Sequence, residues 1–268
     1  MAYSEGKVTN TAKSRMLEGR PALGVGIALG APLAGEIYSR QGWDFVLVDG
    51  QHGNWTLDTM TVAFRSIALG RAVPMARVPI NDFFAIGAVL DRGAMGIVVP
   101  MVNTPEQAHA AARAARFPPR GSRSQGGFGT ALYTADDYES WIDRELFLAV
   151  QIESAEAVES AREILAVDGV DGCWIGPGDL ALSMGVDLAT SSGRRRHEEA
   201  ILRVRDACVS TGKVPGIAGG AMGEYWLEKG FLFVTCAADI TAVRDDGSSI
   251  LNTLRGQEDA QDLSSPLR

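Results

Sequence analysis

Short hydrophobic runs alternate along most of the chain with segments whose apolar residues recur at helical spacing. The runs are rich in Val, Ile, Leu, Phe and Met, as expected of buried strands. Strands that alternate with helices in this way are typical of parallel α/β sheets. The eight predicted strands are residues 21–29, 44–49, 73–78, 96–102, 147–150, 172–175, 214–218 and 231–236.

The intervening segments complete the pattern of a barrel. Eight strand–helix units over about 250 residues predict an α/β fold of the (β/α)₈ TIM-barrel type. An open doubly wound sheet is the alternative, but it would need fewer strands and a phosphate-binding fingerprint after the first one. No G-x-G-x-x-G motif opens a helix there. The predicted helices are residues 32–41, 57–69, 84–92, 104–116, 155–166, 193–210, 225–230 and 239–254.

Polar segments flank the predicted barrel domain, which spans residues 21–255. Residues 1–20 read as a polar arm that leads into a short helix, and residues 256–268 as a polar tail expected to be disordered. Residues 117–145 interrupt the alternation of predicted strands and helices with a long connection rich in Gly, Pro and Ser. A connection of this length is usually functional or ordered by a partner.

Composition excludes several classes of protein. The chain has 268 residues, 46% of them hydrophobic, and a net charge of −8, which argues against nucleic acid as a partner. No apolar stretch reaches membrane-spanning length, and residues 1–16 lack the apolar core of a signal peptide, so we expect a cytoplasmic protein. The three cysteines lie in or near apolar runs, which fits reduced thiols, and no paired spacing predicts a structural zinc.

Polar side chains follow the predicted strands at the edge where a TIM barrel has its active site. Glu153 and Asp179 each come just after one of two successive strands. Neighbouring strands lie about 4.8 Å apart, so both carboxylates can reach one point. They would repel unless a cation or a shared proton lies between them, and oxygen ligands suit Mg²⁺ or Mn²⁺. The polar residues at this edge are Asp49, His52, Arg77, Gln151, Glu153 and Asp179.

Structural interpretations compete with a catalytic one at each position. Glu153 could favour a helix N-terminus, and Asp179 could cap the next helix. Asp49, which precedes Gly50, could form an Asx turn. Taken singly, Glu153 and Asp179 each favour the structural interpretation. Taken together, at matched positions after successive strands, they favour a metal site.

The remaining candidates divide in the same way. Arg77 could form an ion pair with a neighbouring carboxylate as readily as act in catalysis, and Gln151 could hydrogen-bond within a turn. His52 lies in a Gly-flanked loop on the functional face, which favours a functional role. His109 and His197 fall within predicted helices and read as structural residues.

Lysine positions constrain the possible chemistry. An imine-forming aldolase needs a lysine at the carboxyl end of a strand. The lysines lie in the arm, before a strand, or in a late helix: Lys7, Lys13, Lys213 and Lys229. Carbonyl chemistry would therefore use a metal as the electron sink. The Gly-rich segment 216–223 follows the seventh strand, where barrels often bind phosphate, but no Arg or Lys accompanies it, which favours close backbone packing there.

Several spaced motifs resemble those of the HpcH/HpaI aldolase family. They are DFVLVDGQH, PMARVP, LDRGAMGIVVPMVNTPEQA, FPPRG, VQIES and GVDGCWIGPGDLALSMG, between about residue 20 and residue 255. The resemblance implies a metal-dependent class II pyruvate aldolase of the 2-keto-3-deoxy or 4-hydroxy-2-oxo acid type, acting on a small 2-oxo acid and an aldehyde. It also implies a barrel whose last helix is exchanged between subunits, and a homohexamer built as a dimer of trimers.

The resemblance assigns roles to matching residues. Glu153 and Asp179 match the metal ligands, for Mg²⁺ or Mn²⁺ with Co²⁺ as a further candidate. His52 matches the catalytic base, with Asp49 as its partner, and Arg77 matches the arginine that stabilises the enolate.

Further matches concern the substrate. Asp91 matches an acidic residue that reaches the neighbouring subunit's site. The family usually has a glutamate where Gln51 stands, and the segment after FPPRG also departs from the family pattern, in a loop expected to shape the aldehyde pocket. The residues that match the pyruvate site are Gln151 and the backbone cradle of Gly176, Pro177, Gly178 and Asp179.

Two other functions fit the sequence less well. A citrate-lyase-type enzyme acting on a coenzyme A thioester would need a basic groove for the nucleotide phosphates, and this acidic chain offers little of one. A non-catalytic barrel that serves as a binding or assembly protein is the other. Sensitivity of pyruvate release to a chelator separates that interpretation from the aldolase.

Overall fold

A closed parallel barrel forms the body of the protein, in a computed structural model that describes residues 2–4, 7–126 and 137–256. Its last strand pairs with its first, which confirms the predicted (β/α)₈ barrel and its eight strands. The strands are β1 (Ala22–Ile27), β2 (Phe45–Asp49), β3 (Val73–Arg77), β4 (Gly96–Val99), β5 (Phe147–Ile152), β6 (Gly172–Ile175), β7 (Gly216–Ala218) and β8 (Phe233–Ala238).

Helices connect the strands around the outside. The helix predicted at residues 155–166 is two short helices that meet at Ser160, and two helices that the pattern did not predict are α6 and α9. The helices are α1 (Thr11–Leu17), α2 (Pro32–Arg40), α3 (Leu57–Ala68), α4 (Phe83–Asp91), α5 (Pro105–Ala115), α6 (Tyr138–Glu145), α7 (Ala155–Glu159), α8 (Ala161–Leu165), α9 (Pro177–Ser183), α10 (Ser191–Thr211), α11 (Gly223–Glu228) and α12 (Asp239–Arg255).

Several smaller points complete the comparison with the predicted elements. The N-terminal arm includes a short antiparallel hairpin, Ala2–Ser4 with Lys7–Thr9. Residues 127–136 of the long connection and residues 257–268 of the polar tail lie outside the described residues. In the described part of the chain, no helix combines the length and the apolar character needed to cross a membrane.

Capping residues fix where the helices begin after their strands. Thr56 accepts from the backbone of Thr59 ahead of α3, and Thr104 accepts from the backbone of Gln107 ahead of α5, each in a reciprocal capping box. Asp82 caps α4 by accepting hydrogen bonds from two backbone N–H groups, without a reciprocal capping box. These side chains satisfy N–H groups that the first helical turn leaves unpaired, so each helix starts close to the carboxyl end of the preceding strand.

Three phenylalanine rings fill the amino end of the barrel. Phe45, Phe147 and Phe233 are the first residues of β2, β5 and β8, and the Phe233 ring centroid lies 4.6 Å from that of Phe45 and 5.1 Å from that of Phe147. Neighbouring glycines make room for them. A Cβ on Gly24 would lie 2.1 Å from the Phe45 ring, and one on Gly216 would lie 2.8 Å from the Phe233 ring. The aromatic layer leaves the carboxyl end of the barrel for a site.

Helix α1 closes the amino end from outside. The side-chain amide of fully buried Asn10 donates to two backbone carbonyls, each 2.9 Å away, and caps α1. Lys13 Nζ lies 3.4 Å from Asp171 Oδ1, and Asp171 Oδ2 lies 2.6 Å from Arg116 Nη2. Burial lowers the pKa of Lys13, against the opposing attraction of Asp171. Asn10 and helix α1 of the arm therefore pack against the amino end of the barrel.

Candidate active site

Five of the six polar residues predicted at the carboxyl edge lie close together in the structure. Asp49 and Arg77 are the last residues of β2 and β3, and their Cα atoms are paired in register. Gln151 lies near the end of β5, Glu153 just beyond it, and Asp179 in the first turn of α9. The strand–helix–strand arrangement over residues 147–179 thus brings both predicted metal ligands to one end of the barrel.

Glu153 is a buried carboxylate with two protein donors. The residue is only 3% exposed. Its Oε1 accepts a hydrogen bond from the Met101 backbone N–H at 3.0 Å, and its Oε2 accepts one from the side-chain amide of Gln151. Burial raises the pKa of Glu153, and the adjacent Asp179 carboxyl raises it further, while the Met101 N–H and the Arg77 charge lower it. A cation between the two carboxylates would relieve this cost.

Met101 is a contributor that the sequence did not reveal. Its φ of 55° lies in the left-handed region, which is uncommon for a residue with a side chain. This conformation accompanies the hydrogen bond from the Met101 N–H to Glu153. The interaction uses the backbone, so residue identity carried no signal for it.

Because residue 176 is a glycine, its backbone can lie next to the side chains of Glu153 and Gln151. A Cβ on Gly176 would lie 2.9 Å from Glu153 Oε2 and 2.9 Å from Gln151 Nε2. Any larger residue would therefore displace the buried carboxylate. At Gly178, two positions further, an added Cβ would have no heavy atom within 4 Å.

The donor set fits a hard divalent cation. Among the described residues, no group of three or more His, Cys, Asp or Glu side chains surrounds one point. The protein would therefore supply the Glu153 and Asp179 carboxylates, and water or substrate oxygens would fill the other positions. Mg²⁺ sites commonly have this composition, with one or two carboxylates and several waters.

Arg77 forms an ion pair with Asp49, one of the alternatives that the sequence left open. Arg77 Nε donates to Asp49 Oδ1 at 2.8 Å, and Arg77 Nη2 to Oδ2 at 2.5 Å. The guanidinium carbon lies 5.3 Å from the ring centroid of Trp174, whose Nε1 donates to Thr235 Oγ1 at 3.1 Å. Burial raises the pKa of Asp49, but the hydrogen bonds and charge of Arg77 outweigh it and leave that pKa lowered. Arg77 is thereby fixed in orientation.

His52 lies on an exposed loop beside this pair. Its backbone N–H donates to Asp49 Oδ1 at 3.2 Å, as does that of Gln51 at 3.1 Å. Within the described residues the His52 imidazole has no hydrogen-bond partner, so the contact between His52 and Asp49 runs through the backbone. The buried Oε1 atoms of Gln51 and Gln151 also lack a partner in the described part of the chain.

Asp91 lies at the opposite end of the barrel from the other candidates. It is the last residue of α4, just before β4 begins. Its Oδ1 accepts from Arg123 Nη2 at 2.8 Å. The Arg123 guanidinium is buried, with its carbon 4.7 Å from the Phe117 ring centroid and 5.9 Å from that of Tyr138. The structure therefore does not bring Asp91 to the site of its own chain.

A cavity of about 300 Å³ opens beside Arg77 and Asp49. Its described lining residues come from β1, β2, β3, β6, β7 and β8, the turn after β7 and the start of α12, and do not include Glu153. Most of its wall consists of small or apolar residues, including Gly26, Leu47, Ala218, Cys236 and Ala237.

Comparison with known proteins gives consistent results. A family model described as HpcH/HpaI aldolase/citrate lyase matches residues 27–245. The 4-hydroxy-2-oxo-heptane-1,7-dioate aldolase of Shigella flexneri is 35% identical over 247 residues, covering 87% of this chain and 88% of the relative. The hydroxypyruvate/pyruvate aldolase of Deinococcus radiodurans is 35% identical over 249 residues, covering 87% and 86%. A crystal structure of an HpcH/HpaI aldolase/citrate lyase family protein from Burkholderia cenocepacia has a TM-score of 0.85 at 30% identity, covering 92% and 100%.

The lowered pKa of Asp49 predicts how the ion pair contributes to stability at different pH. Since the native pKa lies below that of an unfolded Asp, the contribution is complete above about pH 4 and is lost as the pH falls through the native pKa. We expect the difference in thermal unfolding midpoint between the native protein and Asp49→Asn to be constant between about pH 5 and 7 and to shrink below about pH 4.

The matched control is Asp168→Asn, because the side chain of Asp168 is 88% exposed and lies 3.6 Å from Arg120. Its effect should be small at every pH. A difference for Asp49→Asn that persists undiminished at about pH 3 would show that the pair does not depend on an ionised Asp49.

Proposed function

This chain belongs to the HpcH/HpaI aldolase/citrate lyase family, and on that basis we propose that it is a class II pyruvate aldolase. The reaction is reversible, metal-dependent retro-aldol cleavage of 4-hydroxy-2-oxo acids to pyruvate and an aldehyde. The observation that carries the proposal is the meeting of the Glu153 and Asp179 carboxyls at the carboxyl end of the barrel, next to Arg77. Membership of this family also argues against the alternative of a non-catalytic barrel that serves as a binding or assembly protein.

Glu153 and Asp179 would hold the divalent cation, with Mg²⁺ or Mn²⁺ as first candidates and Co²⁺ as a third. Bound there, the cation would act as a Lewis acid towards the 2-oxo group of the substrate. Three features support this fit: both protein ligands are carboxylates, the Gly176 backbone packs closely against Glu153, and the pKa of Glu153 is raised. Gln151 and the backbone of residues 176–179 would orient the pyruvate half.

Arg77 stabilises the charge that develops on the 2-oxo oxygen as the enolate forms. Its guanidinium is held by two hydrogen bonds to Asp49 and by the face of Trp174, so little reorganisation is needed during the reaction. The lowered pKa of Asp49 keeps that carboxylate charged at neutral pH. Asp49 thus acts as the residue that positions Arg77.

His52 takes the proton from the C4 hydroxyl, directly or through a water. As the C3–C4 bond breaks, its electron pair passes into the enolate, C4 becomes the aldehyde carbon, and protonation at C3 gives pyruvate. The exposed loop leaves the imidazole free of competing partners in the described part of the chain, as a proton acceptor requires. Asp91 does not reach the site of its own chain, and its match to the family's acidic residue is the basis for proposing that it assists at the site of a neighbouring subunit.

A homohexamer, built as a dimer of trimers with the last helix exchanged, is the assembly that we propose. Asp239 is the one buried residue of α12, and Val243 and Leu254 are 67% and 79% exposed. Helix α2, which follows the strand next to β8, exposes Leu33 and Ile37 at 70% and 60%. Apolar faces of this kind are usual at interfaces between subunits. The free thiols fit a cytoplasmic location.

A citrate-lyase-type activity on a coenzyme A thioester has less support. Such a substrate needs cations for its phosphates. Among the described residues that line the cavity, Arg77 is the single cation, and it is already paired with Asp49.

The main test is pyruvate release from a 4-hydroxy-2-oxo acid with Mn²⁺ or Mg²⁺. We expect EDTA to abolish release and either metal to restore it.

His52→Ala and Arg77→Ala should each lower kcat by about 10²–10³-fold, since each removes a group that acts in the transition state, while Mn²⁺ binding survives. His109→Ala, in an exposed helical position, is the control and should keep full activity. Full activity of either site variant would remove that residue from the mechanism, and no pyruvate from any such acid would overturn the function.

Metal binding has a direct test at Gly176. We expect Gly176→Ala to weaken Mn²⁺ binding at least about tenfold, because the new Cβ would press on Glu153. Calorimetric titration measures the affinity, and circular dichroism checks that the variant is folded. Gly178→Ala is the matched control, since its Cβ meets no neighbour within 4 Å. Equal Mn²⁺ affinity for Gly176→Ala and the native protein would argue against a cation on Glu153.

Light scattering tests the assembly. We expect a hexamer for the native protein and a smaller species for the double variant Leu33→Asp/Ile37→Asp, since charges would be buried in the interface. Val209→Asp changes a residue of α10 that is 66% exposed and should leave the hexamer intact. A native protein that is monomeric at micromolar concentration would contradict the proposal.

A further inference from the structure

The cavity beside Arg77 is neutral along most of its wall. Leu47, Ala218, Cys236, Ala237 and Ala238 contribute apolar surface to it, and Thr235 Oγ1 is already engaged by the Trp174 indole N–H. Its volume of about 300 Å³ is at the small end of the range for ligand sites. A short ligand with little polarity would fit this wall best.

The charged groups near the cavity disfavour a second anion. Arg77 donates through both Nε and Nη2 to Asp49, and in the proposed reaction its remaining N–H groups serve the enolate oxygen, so it is not available to a second anion. Next to Ala238, the carboxyl of Asp239 is 2% exposed and accepts from the backbone N–H groups of Ala28 at 2.8 Å and Leu29 at 3.1 Å. No cation among the described residues pairs with Asp239. Among the described residues of this chain that line the cavity, an anionic ligand group would find no free cation, and it would lie near this carboxyl.

The position of the cavity relates it to one half of the substrate. Glu153, Asp179 and Gln151 lie on the β5–β6 side, where the pyruvate half would be held. The described residues that line the cavity come mainly from β7, β8, β1 and β2, together with Arg77 and Trp174, and they include none of Glu153, Asp179 and Gln151. The carbon chain beyond C4 would therefore extend into the cavity.

We propose that this cavity receives the aldehyde half of the substrate and selects a short, uncharged, aliphatic aldehyde. The inference rests on the proposed aldolase function and adds the substrate class to it. The terminal carboxylate of a charged aldehyde would meet the alanine-rich wall and no free cation among the described residues that line the cavity.

Two substrates of equal carbon number test the inference. Cleavage of 4-hydroxy-2-oxoheptanoate at C3–C4 gives pyruvate and butanal, and cleavage of 4-hydroxy-2-oxoheptane-1,7-dioate gives pyruvate and succinic semialdehyde. With the Mn²⁺-loaded enzyme, we expect kcat/KM for the first to exceed that for the second at least about 100-fold. Equal values, or a preference for the dioate, would overturn the inference and leave the aldolase function standing. Cleavage of neither, nor of any shorter 4-hydroxy-2-oxo acid, would overturn the aldolase function itself and with it the inference.

A substitution at the rim gives a second, independent readout. Ala221 lines the cavity and is exposed, so it can accept a longer side chain without disturbing the core. We expect Ala221→Arg to raise kcat/KM for the dioate at least about tenfold relative to the heptanoate, because it supplies the missing cation. Ala221→Gln adds a long uncharged side chain and should not change the ratio. A ratio that Ala221→Arg leaves unchanged would place the aldehyde half elsewhere.

Discussion

Burial of the Glu153 carboxylate beside Asp179 is the constraint on which the site depends. A carboxylate that is almost inaccessible to water loses solvation and must recover it from fixed partners. The Met101 N–H and the Gln151 amide provide two of them. The remaining side of the carboxylate faces another acid, and this arrangement raises the pKa of Glu153. A positive charge or a proton between the two carboxyl groups would relieve their repulsion. The local electrostatics and the proposed chemistry therefore have the same origin.

The barrel makes that arrangement possible by separating stability from function. The Phe45, Phe147 and Phe233 layer and the buried contacts of α1 close the amino end, where no polar ligand group is needed. The carboxyl end can then carry features that stabilise the fold poorly, among them a strained backbone at Met101 and buried amide oxygens that have no partner in the part of the chain that the structure describes. Such features persist only where the surrounding structure determines them.

The sequence predicted the barrel and the placement of most site residues because both follow from local pattern. Hydrophobic runs marked every strand, and parallel connection fixed the edge to which Asp49, Arg77 and Glu153 belong. It could not choose between an ion pair and a catalytic role for Arg77, since that depends on where Asp49 points. Met101 acts through its backbone, and Arg123 lies in a Gly- and Ser-rich connection, so neither carried a periodic signal. Helix α9 was missed because its start, Gly-Pro-Gly-Asp, also fits a turn.

The Arg77–Asp49 pair divides the carboxyl end into two environments. On one side lie the acids and amides that a cation and a 2-oxo acid require, and on the other lies a wall of small apolar residues. Asp49 takes two donors of Arg77, and the enolate oxygen of the proposed reaction would take the others, so the guanidinium offers little to a further anion in the cavity. In the proposed reaction, a single ion pair would therefore help to orient the reacting carbonyl and would also limit which aldehyde can lie beyond it. The charge at the proposed reacting end and the low net charge beside the cavity both depend on the contact between Arg77 and Asp49.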